Sequence, residues 1–471
     1  MGDELWRWSA GRIANAIARR EVSSREAVAS CIARMHAVNG AINAVTFDLS
    51  AQALELADRA DRAVVSGEPL GPLHGVPVTI KENVDQAGAP TPNGVVAYRD
   101  AVATDDHPVV ANLKRAGAIA IGRTNTPAFS MRLDTVNDLR GRTHNPWKRG
   151  ITPGGSSGGA AASVAAGIVP LAHGNDIAGS VRYPAFCCGL AGLRPSFGRV
   201  PAWQPSQKAE RPISAQLMSV QGPIARTVDD VRLGLAAMAA RDPRDPWWVP
   251  APLAGSPVPR RVAIVREASQ LDGVAPSPPI ARALDDAARW LAEAGYEIVD
   301  DDTPGFTAAA HLWFEMHVPE FRHFQQADFQ RDGDDGIRIA MAHLASLAPD
   351  LSAPDHLRAL ARRTTLQRAW WLALERTPLV LTPVSAVPAY PVGFDLESEA
   401  RTAQVWRECA TLMAVPVLGL PGMAVATGVA DGVPIGVQIV APRFREDLCL
   451  AAAEVIESRA GMVERVPLDP A

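Results

Sequence analysis

Two serines held in glycine-rich turns are the residues of this chain whose setting suits nucleophilic chemistry. Residues 152–196 read TPGGSSGGAAASVAAGIVPLAHGNDIAGSVRYPAFCCGLAGLRPS. Gly154, Gly155, Gly158 and Gly159 bracket Ser156 and Ser157, and without Cβ atoms they let backbone amides turn through positive φ or approach a ligand closely. The alanine-rich run 160–166 predicts a helix directly behind them, with its unpaired N-terminal amides and positive dipole end facing the serine turn. Residues 168–171 read as a short buried extended run that delivers the chain into a second small-residue turn, Asn175-Asp176-Ile177-Ala178-Gly179-Ser180. Successive N–H groups of such a turn could converge on one oxyanion, the species formed when a nucleophile adds to a carbonyl. A flexible Gly/Ser linker is the alternative, but a linker does not run into an apolar helix and then repeat the device.

A base has to come from elsewhere. Gly71-Pro72-Leu73-His74-Gly75 turns the chain into Val76-Pro77-Val78-Thr79-Ile80-Lys81, a β-rich run that ends on a lysine. Such a lysine commonly snorkels to the surface. If desolvated, it loses its proton and becomes a base. The run 109–116 predicts a helix and 118–121 a strand, and the unit repeats as strand 261–265, helix 279–294 and strand 296–299. This alternation predicts an α/β fold, a layered sheet covered by helices on both faces. Ser23 and Glu26 form a capping box ahead of a helix carrying Ala27, Val28, Cys31, Ile32 and Met35 on one face. Residues 129–147, with Arg132, Asp134, Arg140 and Arg142, read as a solvated loop, with a pocket wall as the second reading. The Pro-rich stretch 242–259 is the best candidate boundary, and 308–376 reads as helical, with its aromatic residues in core. His311, Glu315, His317, Glu320 and His323 lack the i, i+4 histidine pair of a helical zinc site, so no metal is expected.

The whole chain narrows the function classes. Its 471 residues are 47% hydrophobic and 21% charged, an ordinary globular balance. A net charge of −5 without a basic run gives no footprint for nucleic acid or a membrane surface. No apolar run follows the charged residues Asp3, Glu4 and Arg7, and none is long enough for a membrane span. Cys31, Cys187, Cys188, Cys409 and Cys449 lack metal spacing, and an odd count suits a reducing compartment, so a cytoplasmic protein is expected.

The GGSSGG motif and the GNDIAGS turn, with Ser180 24 residues after Ser156, resemble the amidase signature family. Arg182, Pro184, Cys188-Gly189 and Gly192-Leu193-Arg194-Pro195 fit its pattern too, and GVPVTIKENVDQAG resembles the segment that supplies its lysine. Asn175 stands where the family usually has Thr or Ser, and Ala178 where it usually has Gly. The string GNDIAGSVR is similar to the turn of the 6-aminohexanoate cyclic dimer hydrolase branch. The resemblance implies one amidase signature domain over 1–471, with a large mixed central sheet and a signature core at about 70–227. It also implies a small-molecule amide substrate and no cofactor, and leaves a homodimer open.

By carry-over, Lys81 takes a proton from Ser156, Ser156 relays from Ser180, and Ser180 attacks the amide carbonyl to give an acyl-enzyme. The oxyanion and substrate would be held around Asn175, Ile177, Ala178 and Gly179, and the Gly155-Ser156 bond would be cis. Two functional alternatives share the fold: a glutamyl-tRNA amidotransferase A-like subunit, and a biosynthetic or acyl-transfer enzyme. A third reading takes Gly155-Ser156-Ser157-Gly158-Gly159 as the G-x-S-x-G elbow of an α/β-hydrolase with Ser157 as nucleophile, but no strand leads into it.

Overall fold

The computed structural model describes residues 4–300 and 303–461. Apart from a two-stranded ribbon of Val136–Asn137 and Gly141–Arg142, its strands, in chain order, are β1 (Val45–Asp48), β2 (Pro77–Lys81), β3 (Ile119–Thr124), β4 (Leu171–Asp176), β5 (Ala191–Arg194) and β6 (Val220–Ala225). Beyond the Pro-rich stretch come β7 (Arg261–Ile264), β8 (Glu297–Asp300), β9 (Leu379–Pro383), β10 (Gly422–Ala430) and β11 (Val433–Val440). These eleven form one sheet in the order β1-β3-β2-β4-β6-β5-β10-β11-β9-β7-β8. The sheet is mixed: β2 runs parallel to β3 and β4, β7 runs parallel to β8 and β9, and the strands between alternate in direction. Every residue of β2 and β11 is buried, which requires cover on both faces. The expected α/β architecture with a large mixed sheet is therefore present.

Local signals account for several elements. Ser23 and Glu26 exchange both hydrogen bonds of the capping box, and the helix Ser24–Ile42 buries Ala27, Val28, Cys31, Ile32, Met35 and Val38 at three- and four-residue spacing. The glycine turn is followed by the helix Gly158–Ala165, which starts on the glycines themselves. Thr79 Oγ1 on β2 meets Ser163 Oγ of that helix at 3.1 Å. The aromatic segment is helical, and Trp313, Phe321, Phe329 and Trp370 are buried there, although Phe324 and Trp371 are exposed.

Two expectations need correction. The extended run read at 168–171 is a strand that starts at Leu171 and continues to Asp176, so Asn175 and Asp176 close β4 and the turn is confined to the residues after them. Pairing with β6 over the full length of β4 carries the strand past the point where apolar character stops. The solvated loop read at 129–147 is partly interior, because Arg132 and Asp134 are buried. Arg132 makes a bidentate pair with Asp395 at 2.9 and 3.0 Å, and Asp134 accepts from Arg142 at 2.6 Å and from the Thr152 hydroxyl at 2.7 Å. Arg132 finds its partner far along the chain, beyond the reach of any local pattern, while Asp134 pairs with Arg142 inside the stretch and with Thr152 just beyond it. Among the described residues, no helix is long and apolar enough to cross a membrane.

Glycine tolerance tests this packing. A Cβ on Gly159 would come within 2.5 Å of Asn125 N and 2.8 Å of Ala44 O, both backbone atoms, whereas a Cβ on Gly40 would meet nothing within 4 Å. Gly159→Ala should lose about 1–3 kcal/mol of stability in urea unfolding. Gly40→Ala, inside the helix Ser24–Ile42, should gain about 0.5–1 kcal/mol.

Candidate active site

Parallel pairing of β2 with β4 matches Val78 to Leu171 and Thr79 to Ala172, so Lys81 and Asn175 emerge at the same edge of the sheet. The glycine turn crosses that edge. Lys81 is fully buried, and its Nζ lies 2.7 Å from Ser156 Oγ, 3.1 Å from Ser157 Oγ and 2.8 Å from Asn175 Oδ1. The Gly155-Ser156 peptide is cis, as the resemblance implied. Burial pushes the lysine well below its ordinary pKa, and the negative charge of Asp176 only partly opposes the shift.

The three partners suit a neutral amine, which has two N–H donors and one lone pair. Asn175 Oδ1 can only accept, because Asn175 Nδ2 donates to Asn83 Oδ1 at 3.0 Å. Ser157 Oγ takes the second N–H and directs its own proton to the Asn175 carbonyl at 3.4 Å. The lone pair is left for the Ser156 hydroxyl proton. Once protonated, the same nitrogen can donate to all three oxygens without moving.

Asn83 and Asn175 pair amide to amide, and Asn83 Nδ2 continues to Ser130 Oγ at 2.9 Å. Ser130 also bonds Asn93 Oδ1 at 2.6 Å and Thr126 Oγ1 at 2.8 Å, which uses its one donor and both lone pairs and holds it at a left-handed φ of 59°. The sequence reading missed Asn83 and Ser130. Asn83 stands two residues beyond Lys81, in the turn that follows the strand. Ser130 carries no comparable signal.

The second serine sits in a turn anchored from below. Asp176, at the end of β4, accepts from Gly179 N at 2.9 Å, Val181 N at 3.2 Å, and Arg182 Nε and Nη2 at 2.9 Å each. Arg194 approaches the same carboxylate at 3.6 Å and donates to the Asp176 carbonyl at 2.6 Å. Ser180 is 6% exposed at the rim of this turn, and no hydrogen bond joins it to Ser156 among the described residues. Trp313 Nε1 donates to the Ile177 carbonyl at 3.0 Å and fixes the turn from the helical side.

For the four residues proposed to hold the oxyanion or substrate, the geometry divides. The N–H groups of Ile177, Ala178 and Ser180 have no backbone partner among the described residues. The N–H of Gly179 does not share that freedom, because the Asp176 carboxylate lies beneath it and takes it. Gly179 instead supplies a φ of 100°, and a Cβ there would lie 2.7 Å from Leu412 Cδ1. The Asn175 side chain turns toward Lys81 and Asn83, away from an oxyanion role, since its amide is the complement of both. Ser157, the nucleophile of the elbow reading, is fully buried and bonds the lysine and a backbone carbonyl, with no histidine on its hydroxyl. Of the metal candidates, His311 meets Asp272 and Glu315 meets Arg362, while His317 and Glu320 converge on the Ser214 hydroxyl.

The family model described as Amidase matches residues 26–450. The chain belongs to the amidase family. It is similar to an indoleacetamide hydrolase of Bradyrhizobium diazoefficiens, at 46% identity over 98% of this chain and 88% of that protein. The A-type subunit of a glutamyl-tRNA(Gln) amidotransferase of Salinispora tropica is 31% identical over 97% of this chain and 98% of that protein. Among solved structures, a bacterial aryl acylamidase of the amidase signature enzymes superposes with a TM-score of 0.82 at 27% identity, covering 98% of this chain and 99% of that one. The 6-aminohexanoate cyclic dimer hydrolase in complex with substrate superposes with a TM-score of 0.84 at 26% identity, covering 99% of both chains. This amidase is accordingly a hydrolytic enzyme of amide C–N bonds.

Asp176 gives the amidase a testable electrostatic anchor. Burial alone would raise its carboxyl, but Arg182 and Arg194 outweigh burial and bring it to about 2. The unfolded carboxyl titrates near about 3.9. Its stabilisation is therefore complete above that value and is lost as pH falls from there toward 2. Asp176→Asn strands two buried guanidinium groups and should cost about 3–5 kcal/mol in urea unfolding at pH 7. The variant's stability should also fall less steeply than the native protein's below about pH 4.

Proposed function

We propose that this amidase hydrolyses a primary carboxamide of a flat aromatic acid through a Ser180 acyl-enzyme, with Ser156 and Lys81 as proton relay and base. The observation that carries the reading is the buried, proton-poor Lys81 nitrogen 2.7 Å from the Ser156 hydroxyl. Lys81 takes the Ser156 proton as Ser156 takes that of Ser180, and Ser180 Oγ adds to the carbonyl carbon. The negative oxygen is received by the free N–H groups of Ile177 and Ala178, beside the nucleophile. The proton returns through Ser156 to the leaving nitrogen, ammonia departs, and water repeats the path to release the acid. Catalytic hydrogen bonds often close only with substrate present, which is the part left to the Ser156–Ser180 link. Support for an aromatic acid comes from Trp313 and Trp406 at the cleft and from the indoleacetamide hydrolase relative. Five buried, unpaired cysteines suit the cytoplasm.

The amidotransferase relatives favour a second reading, in which the acyl group or the ammonia passes to another acceptor. A partner chain that co-purifies, or an added amine acylated in preference to release of the free acid, would support it.

Two experiments bear on the main reading. A fluorophosphonate should label Ser180, Ser180→Ala should abolish the label with the fold retained, and a label on Ser157 would overturn the assignment. Lys81→Met should lower kcat/KM by about 10²–10⁴-fold. In the native enzyme, kcat/KM should fall as pH drops, because a protonated Lys81 accepts nothing. The fall should be centred well below the ordinary lysine value of about 10.4. A profile that stays flat to acid pH would rule out the lysine base.

A further inference from the structure

The cleft that reaches Ser180 has a volume of only about 20 Å³ and is bounded by Ile177, Ala178, Met131, Trp313 and Trp406. Sites for small organic ligands occupy about 300–1,000 Å³. An acyl group therefore enters only when one of these walls moves. Trp406 is the wall with somewhere to go. It also lines a cavity of about 600 Å³ shared with Ala310, Phe314, Leu347 and Met413, so Trp406 borders both the narrow cleft and the wide space.

The two tryptophans of the cleft are held differently. Trp313 is buried to 2% exposure and tied through its indole N–H to the Ile177 carbonyl, so it cannot shift without disturbing the turn that carries Ser180. Trp406, on the helix Glu399–Glu408, is half-buried and is held by ring contacts. It stacks on Trp313 with centroids 5.5 Å apart and planes 23° from parallel, and meets the edge of Phe314 at 6.0 Å. This is a pair of jaws, one fixed and one loose, closed on each other.

We infer that Trp313 and Trp406 form an aromatic clamp for the acyl group, with Trp406 moving back toward the wide cavity to admit a flat ring between the two indoles. This rests on the reading of Ser180 as nucleophile, because it is the acyl arm of the Ser180 adduct that the clamp would hold. Opening breaks one indole–indole stack. A flat aromatic acyl group replaces it with two stacks, one on each jaw, whereas an aliphatic chain replaces neither. Each stack is worth a factor of about two to ten beyond area burial. The clamp thus favours aryl over aliphatic amides without touching the reacting atoms, and Trp406 is a specificity-determining residue.

The test compares kcat/KM for indole-3-acetamide and phenylacetamide with that for hexanamide in the full-length enzyme and in Trp406→Ala. Loss of the loose jaw removes one stack from the aryl substrates and removes the cost of opening for all. The aryl-to-hexanamide ratio should therefore fall by about two- to tenfold, with hexanamide turnover unchanged or raised. Equal rises for all three substrates would make Trp406 a plug, equal falls would make it scaffolding, and either overturns the clamp. If Trp406→Ala lowers the melting temperature sharply, Trp406→Leu, which fills the space without a ring, carries the same comparison. Fluorophosphonate labelling of Ser180 separates this outcome from failure of the parent reading. That label reports the nucleophile whatever the acyl preference, and an unlabelled Ser180 would sink the mechanism and not the clamp alone.

Discussion

A single buried carboxylate holds together the edge of the sheet where the candidate site lies. Asp176 sits at the last position of a central strand and gathers two backbone N–H groups of the turn after it and the guanidinium of Arg182, with Arg194 close by. An isolated carboxylate could not be buried there, and neither could either arginine. Together they satisfy one another, and the arrangement sets the path of the turn that carries Ser180. The same charge acts on Lys81, where it opposes the desolvation that lowers the lysine's pKa. Asp176 and Lys81 are thus electrostatically coupled across neighbouring strands, and a change at one is felt at the other.

Around the lysine the structure solves a different problem. A buried amine needs partners in both protonation states, and side chains that can only donate would block one of them. Two serine hydroxyls and an amide oxygen supply three acceptors, of which one hydroxyl also gives up a proton. Asn175 fills this place with an amide and so needs its own second partner. Asn83 provides it, and Ser130, in turn, supports Asn83. The departure from Thr or Ser at position 175 is therefore accompanied by an amide network extending away from the lysine. The helical segment contributes from the other side, through one hydrogen bond from Trp313 to the turn and a wall of rings beside it.

Much of this was legible in the residues. The glycine spacing marked the two serine turns because only residues without a Cβ fit the close approaches that Gly159 and Gly179 make. The capping box at Ser23 announced a helix start, because it is a local device whose parts lie within a few residues of each other, whereas the apolar run ahead of Lys81 left burial and snorkelling both open. The alternation of strands and helices marked an α/β sheet for the same reason. What sequence alone determined was therefore the identity of the chemical groups, the turns that present them and the family to which they belong.

The tertiary structure decided which groups meet. Arg132 and Asp134 looked like solvated charges until partners such as Asp395, far along the chain, were brought to them. The amide of Gly179 looked available until the strand end placed Asp176 beneath it. Asn175 looked like part of an oxyanion site until the parallel pairing of its strand with that of Lys81 turned its side chain toward the lysine. Trp313 and Trp406 are separated by most of the helical segment, and nothing in their local sequence marks them as two sides of one cleft. Hydrogen bonds and ring contacts act over a few ångströms in space but over any distance along the chain, so residue type and spacing reveal the devices, and only the fold reveals their partners.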